Sequence, residues 1–173
     1  ESPGPTATKF VSKLRFTARI LYLIYIGLTV ILMLMLLVGG MSFYDALLHA
    51  FSTAGTGGFS TKNASIMAFN SVYIEVVIAV FMFIFGINFN VFYLILIGKF
   101  TKAFSSEELR TYFIIVLVAI IAISINLLSV YGNFFTALRY SSFQVASIMS
   151  TTGFTTADFN LWPEFSKLIL IAL

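Results

Sequence analysis

Two short strips in this chain have the composition to coordinate a dehydrated cation with backbone oxygens. One is Thr56-Gly57-Gly58-Phe59 and the other is Thr151-Thr152-Gly153-Phe154. A cation that sheds its water needs replacement oxygens, and rings of backbone carbonyls supply them. Successive carbonyls can face one axis only if some residues take dihedrals open to glycine. That requirement gives Gly58 and Gly153 a geometric role. Thr56 and Thr151 can add a hydroxyl at the inner end of each strip. Phe59 and Phe154 are expected to pack behind the strips and hold their diameter. Neither strip carries a charged side chain, and this chemistry needs none.

The strips are related to one another. A shift of 95 lays Ser52 on Ser147, Thr56 on Thr151, Gly58 on Gly153, Phe59 on Phe154 and Thr61 on Thr156, five identities in ten positions. Ser60 then meets Thr155, and Asn63 meets Asp158. The same shift carries the apolar run that starts at Ile20 onto the one near Ile115, so the chain holds about 1.8 copies of one unit. That unit is span, short apolar segment, strip, span. The segment before each strip, about 10–12 residues, is too short to cross a bilayer and suits a re-entrant helix. Ser42 and Ser141 are the expected N-caps. If each helix points inward, its C-terminal end carries about half a negative charge toward the membrane centre. Extended backbone following it is tolerated there only when buried or lining a water-filled cavity.

The elements that must position these strips follow from composition. Of 173 residues, 60% are hydrophobic and 10% are charged, and the mean hydropathy is +1.01. Soluble domains run near 45–50% apolar and about 25% charged, so this is a membrane protein. Absence of Cys excludes a disulfide scaffold. One His and seven scattered acids make a resident metal site unexpected, and no cofactor is indicated; a cation held at the strips would be substrate. A net charge of +3, carried beside apolar spans, gives no reason to expect a nucleic-acid partner. The expected partner is membrane lipid.

Uncharged runs over Ile20–Val38, Val76–Gly98 and Thr111–Tyr131 each match a membrane helix. The expected division is a cytoplasmic loop over 1–19, a pore-loop repeat over 20–98, a cytoplasmic loop over 99–110 and a second repeat over 111–173, short of its last span. Lys9, Lys13, Arg15 and Arg19 precede the first span, and Lys99, Lys102 and Arg110 separate the second and third. Only Lys62 and Arg139 lie on the opposite stretches. The excess places the start of the segment in the cytoplasm. The chain begins at Glu1 and stops about ten residues into an apolar run that starts near Trp162, which reads as a segment of a longer protein without a signal peptide.

Other polar residues invite two readings each. Asp45 and His49 lie one helical turn apart, either as an outer-mouth charge or as a local i,i+4 pair at a helix start. Asn63 and Asp158 follow their strips at equivalent distances, as vestibule groups that attract cations or as caps. Glu75 is expected at the membrane interface. Asn88 and Asn90 interrupt the second apolar run, facing an inner cavity or bonding between helices.

These residues resemble those of the Trk/Ktr/HKT superfamily of potassium transporters, most closely its bacterial TrkH/TrkG membrane-subunit branch. The likeness rests on Asp45-Ala-Leu-Leu-His-Ala-Phe-Ser52, Gly57-Gly-Phe-Ser-Thr61, Ala64-Ser-Ile66, Phe143-Gln-Val145, Thr151-Thr-Gly-Phe-Thr-Thr156 and Trp162-Pro163, together with the opening Glu1-Ser-Pro-Gly-Pro5. It implies an all-α integral membrane fold in which four span–pore helix–strip–span repeats surround a pseudo-fourfold, potassium-channel-like axis. This segment then corresponds to repeat two and most of repeat three, with the remaining repeats in the same longer chain. The family's filter glycine maps onto Gly58 and Gly153. Members that replace such a glycine with Ser admit sodium, so two glycines favour potassium. The resemblance also implies potassium uptake across the cell inner membrane, a homodimer and a cytosolic nucleotide-binding regulatory subunit.

Rival classes fit less well. An aspartyl-type intramembrane protease would need a second Gly-x-Gly-Asp beside Tyr44-Asp45, and Ser52 sits on the wrong segment to be a nucleophile for His49. A two-span tetrameric channel needs only one unit, whereas this chain carries two unequal ones. That channel is nonetheless the nearer rival, and a sodium-permeable member of the superfamily just named is the other alternative.

Because the chain lacks native Cys, single-Cys labelling tests the orientation cleanly. Positions 9 and 102 should react only with permeant reagent, and positions 62 and 139 with impermeant reagent from outside. External labelling at position 102 would invert the assigned topology.

Overall fold

A computed structural model describes the backbone of residues 7–173 and the side chains of residues 15–173. The Glu1-Ser-Pro-Gly-Pro5 opening and the Lys9 and Lys13 side chains lie outside the described residues. Helices are the regular structure throughout that range, and the first, α1 (Ala7–Val38), begins well before the first apolar run. The expected loop over 1–19 is therefore helical from Ala7. The sequence from Ala7 to Arg19 contains neither Gly nor Pro, so nothing in it breaks a helix. Tyr22, Leu23, Val30 and Leu34 are exposed on α1, while Leu32 and Leu36 are fully buried. A helix apolar on its outward face belongs in lipid.

Gly39 and Gly40 end α1, and Gly40 takes φ +91. The re-entrant helix α2 (Phe43–Ala54) follows at once, with Ser42 as N-cap accepting from the Asp45 N–H. At 1.5 Å per residue its 12 residues cover about 18 Å, short of a hydrocarbon core about 30 Å thick. The strip and a 3-10 turn over Ser65–Phe69 lead to α3 (Val72–Gly86).

The second apolar run is not one straight helix. It breaks after Gly86, and α4 (Phe89–Leu96) leaves at 88° to α3. Asn88 causes the restart by capping α4, its side chain accepting from the Asn90 N–H at 2.9 Å. Its amide nitrogen also lies 3.3 Å from both Glu108 carboxylate oxygens. The break strands carbonyls at the end of α3, and the Tyr112 hydroxyl donates to the Phe83 carbonyl at 3.3 Å. A short helix α5 (Phe100–Phe104) leads into α6 (Glu107–Tyr131), which with Arg15–Val38 is long and apolar enough to cross a membrane.

Gly132, at φ +65, ends α6. The second re-entrant helix, α7 (Phe134–Met149), has 16 residues and is capped by Asn133. The expected N-cap, Ser141, instead lies inside α7. No breaker stands between Phe134 and Ser141, and Asn133 already binds the Phe135 N–H at 2.9 Å. The Ser141 hydroxyl is fully buried 2.6 Å from Ser124 Oγ on α6, a polar link of the kind that holds helices in lipid. A turn over Phe159–Leu161 and α8 (Glu164–Ala172) complete the chain. Ser166 of α8 donates to Asn126 of α6 at 2.7 Å.

The repeats meet where α3 packs on α7. Glu75, expected at the interface, is 7% exposed and faces Arg139 of α7 with Oε2 to Nε at 3.2 Å. Arg139 also lies over the Tyr140 ring, 4.6 Å from its centroid. Removing one member of a buried pair leaves the other uncompensated, which costs about 3–5 kcal/mol when both are deep. Arg139 keeps partial solvent contact, so a cost of about 1–3 kcal/mol is expected. In thermal unfolding of detergent-solubilised protein, Glu75→Gln and Arg139→Gln should each lower stability by that amount. The double variant should lose clearly less than their sum; additive losses would show that the pair does not couple the repeats.

Candidate functional site

The two strips begin in the same way. In α2 the last turn is closed by Thr56 N–H to the Thr53 carbonyl at 3.2 Å and Gly57 N–H to the Ser52 carbonyl at 2.7 Å. In α7 the residues 95 further on repeat both bonds: Thr151 N–H to Ile148 at 2.9 Å and Thr152 N–H to Ser147 at 2.9 Å. This pairing is the Schellman closure, which satisfies carbonyls that a helix end leaves open. It needs a left-handed residue, normally Gly, just past the cap. Here the residue is Thr56 at φ 51 and Thr151 at φ 58. A β-branched side chain is an outlier in that region and costs about 1–2 kcal/mol. The same strained threonine stands at the same place in both repeats.

Beyond the threonine the backbone alternates. Gly57 and Thr152 are not left-handed, whereas Gly58 is at φ +66 and Gly153 at φ +84. Positive φ therefore falls on every second residue of both strips. The strips also touch. A Cβ on Gly58 would collide with the Thr152 carbonyl oxygen and come within 3.3 Å of the Gly153 carbonyl carbon. A Cβ on Gly153 would meet nothing within 4 Å. Ser65, also left-handed at φ 53, accepts from the Thr155 N–H at 3.3 Å across the two repeats.

The strips differ in how they are backed. Phe154 is fully buried, and its carbonyl accepts from Ser147 Oγ at 2.7 Å. Phe59, expected to pack behind strip one, is 80% exposed instead. Ser52, the counterpart of Ser147, is buried with no hydrogen-bond partner for its hydroxyl among the described residues. The Phe59 carbonyl therefore lacks the serine bond that the Phe154 carbonyl has. Strip one is secured further along. Thr61 Oγ1 donates to Asp45 Oδ1 at 2.6 Å, and Ser60 Oγ lies 2.9 Å from His49 Nε2. The serine identity at positions 52 and 147 is visible in sequence; the roles of Ser60 and Tyr112 have no sequence signal.

Asp45 and His49 do not form a side-chain pair. His49 Nδ1 meets the Asp45 backbone carbonyl at 2.7 Å, an intrahelical contact. The Asp45 carboxylate accepts from Thr61 and from Ser42, the latter at 2.9 Å, and these bonds hold it below the usual carboxylate range. Lys62 Nζ, 3.9 Å away, is mostly in solvent and adds little. Asn63 is exposed. Asp158 is exposed and caps the Phe159–Leu161 turn, accepting from the Asn160 N–H at 3.0 Å. Asn88 and Asn90 are exposed at the α3–α4 break, well along the chain from the strips.

Comparison with known proteins agrees with this architecture. The family model described as TrkH, cation transport protein, matches residues 6–173. The Trk system potassium uptake protein TrkH of Salmonella typhimurium is 37% identical over 99% of this chain and 36% of its own length. The Trk system potassium uptake protein TrkG of Escherichia coli is 31% identical over 99% of this chain and 36% of its own length. The crystal structure of the potassium transporter TrkH from Vibrio parahaemolyticus superposes with a TM-score of 0.86 at 32% identity, covering 92% of this chain and 35% of that one. The chain thus spans about a third of the length of these relatives, and it belongs to the TrkH family of cation transport proteins.

Proposed function

We propose that this chain supplies two of the strips of a potassium-selective filter in a longer transporter that takes up potassium across the cell inner membrane. The observation that carries the reading is the pair of touching strips, each left-handed at every second residue and each starting at the C-terminal end of a re-entrant helix. Alternating dihedrals turn successive carbonyls to one side of the strand, as a carbonyl-lined site requires. The ligands would be the backbone oxygens of Thr56, Gly57, Gly58 and Phe59 and of Thr151, Thr152 and Gly153, with the threonine hydroxyls at the inner end; the Phe154 carbonyl, expected among them, is bonded to the Ser147 hydroxyl of its own helix instead. Helix C-termini add partial negative charge below them without any ionised group. Such a site replaces the hydration shell of a weakly hydrated cation while binding it loosely enough to release it.

Charge asymmetry supports a cytoplasmic start for α1 and an external position for Lys62 and Arg139. The boundaries 20–98 and 111–173 describe the two repeats in this reading, and the other strips come from the rest of the polypeptide. Asp45 and Asp158, near the strips' outer ends, would raise the local cation concentration. A homodimer and a cytosolic nucleotide-binding regulatory subunit belong to the same proposal, on the strength of family membership.

Two variants in full-length protein test the filter, with rubidium and sodium flux into liposomes as the readout. Gly58→Ser and Gly153→Ser should both lower the rubidium/sodium ratio. A left-handed residue with a Cβ costs about 1–2 kcal/mol, and about 1.4 kcal/mol of lost differential binding is tenfold in selectivity. Gly58→Ser should be the more severe, because its Cβ also displaces the Thr152 carbonyl. Gly27→Ala, in α1 with open space around it, is the control. Ratios equal to wild type in both serine variants, at equal protein levels, would remove these glycines from the filter.

The strained threonines allow a test of opposite signs. Thr56→Gly and Thr151→Gly relieve left-handed strain and should raise thermal stability by up to about 1 kcal/mol. They should also weaken apparent potassium affinity by removing a hydroxyl ligand. Stabilisation with unchanged affinity would assign the threonines no role in ion binding.

A further inference from the structure

Building on the filter reading, we propose that His49 is a positioning residue that fixes the outer halves of both strips at once. The imidazole is fully buried and sits between the repeats. Its Nδ1 faces the Asp45 carbonyl at 2.7 Å, so that nitrogen carries the proton and donates. Its Nε2 is then an acceptor, and the Ser60 hydroxyl donates to it at 2.9 Å. Ser60 Oγ in turn accepts the Lys62 N–H at 3.1 Å. One neutral ring thereby holds the backbone two residues beyond Gly58.

A face of the same ring meets strip two, and the 3-10 turn of the first repeat packs against the ring as well. His49 stacks on Phe154, with centroids 5.7 Å apart and planes at 27°, and Phe69 packs edge-on at 5.2 Å. Phe154 immediately follows Gly153 and is fully buried. Strip two has its own tie, the Ser147 hydroxyl on the Phe154 carbonyl, whereas the matching Ser52 hydroxyl is unused. His49 therefore takes on, for strip one, the anchoring that a serine provides for strip two, and it links that anchor to its neighbour. The counterpart of His49 at a shift of 95 is Gln144, so the arrangement is not symmetric between repeats.

Four variants of the full-length protein separate the contacts. His49→Phe keeps a stacking ring and removes the bond to Ser60. His49→Gln can still accept from Ser60 and removes the ring. His49→Ala removes both, and Ser60→Ala removes one hydroxyl. In rubidium/sodium flux into liposomes, His49→Ala should lower the ratio about tenfold, and Phe, Gln and Ser60→Ala each about threefold. Ser60→Ala added to His49→Phe should add clearly less than it costs alone, since the bond to His49 is already gone and only the Lys62 N–H contact remains to be lost. A purely structural role predicts lower thermal stability with wild-type ratios in all variants, and that result would overturn the proposal. If His49→Ala does not fold, an unchanged ratio in Ser60→Ala and in His49→Gln overturns it equally. Gly58→Ser in the same assay keeps the two readings apart. If it shifts the ratio and the His49 and Ser60 variants do not, only the positioning role fails; if none shifts it, the filter reading fails with it.

Discussion

A helix too short to cross a bilayer must still dispose of the open carbonyls at its end, and the rest of this structure depends on how that is done. In both repeats the last turn is closed by the same two backbone bonds, at Thr56 and Gly57 and again at Thr151 and Thr152. The closure turns the chain sharply through a left-handed residue. That turn sets the starting direction of the strip. Gly58 and Gly153 then continue the alternation, because a side chain there would meet either strain or the neighbouring backbone. Glycine would serve the left-handed turn at lower cost than threonine. Retention of threonine in both copies is the clearest sign that the turn has a second task.

The surrounding helices hold two such ends side by side. Close polar contacts between small residues, Ser124 with Ser141 and Ser166 with Asn126, tie α6 to α7 and α8. In lipid the apolar effect does not distinguish helix from solvent, so packing and hydrogen bonds must set these positions. The Glu75–Arg139 pair adds a link between repeats, between α3 and α7. Contacts at Gly58–Thr152, Ser65–Thr155 and His49–Phe154 then bring the strips themselves together. The two repeats are equivalent in backbone closure and different in side-chain anchoring. Strip two folds back onto Ser147, and strip one is braced by Asp45 and His49. In the filter proposed above, such unequal repeats would let each strip be tuned separately, an option closed to four identical chains.

Much of this was legible in the residues alone. Composition placed the chain in a membrane, because no soluble core could bury 60% apolar residues. The shift of 95 exposes the repeat, and the apolar segments before the strips read as helices too short to cross a bilayer, although α7, at 16 residues, is longer than the 10–12 expected. Ser42 was readable as a cap because capping is local. Ser141 was misread for the same reason: a serine at a spacing that suits a cap is indistinguishable from one that bonds to another helix until that helix is in place. Likewise Val76–Gly98 is uniformly apolar, and its 88° break depends on Asn88 capping and on Tyr112 taking a stranded carbonyl. Tertiary structure alone decided that Glu75 is buried against Arg139, that Phe59 points away while Phe154 is enclosed, and that His49 reaches Ser60 and Phe154 rather than the Asp45 carboxylate. Periodicity and local spacing report what a residue can do within its own helix. Which partner it finds outside that helix is set by how the two repeats pack, and no local pattern encodes that.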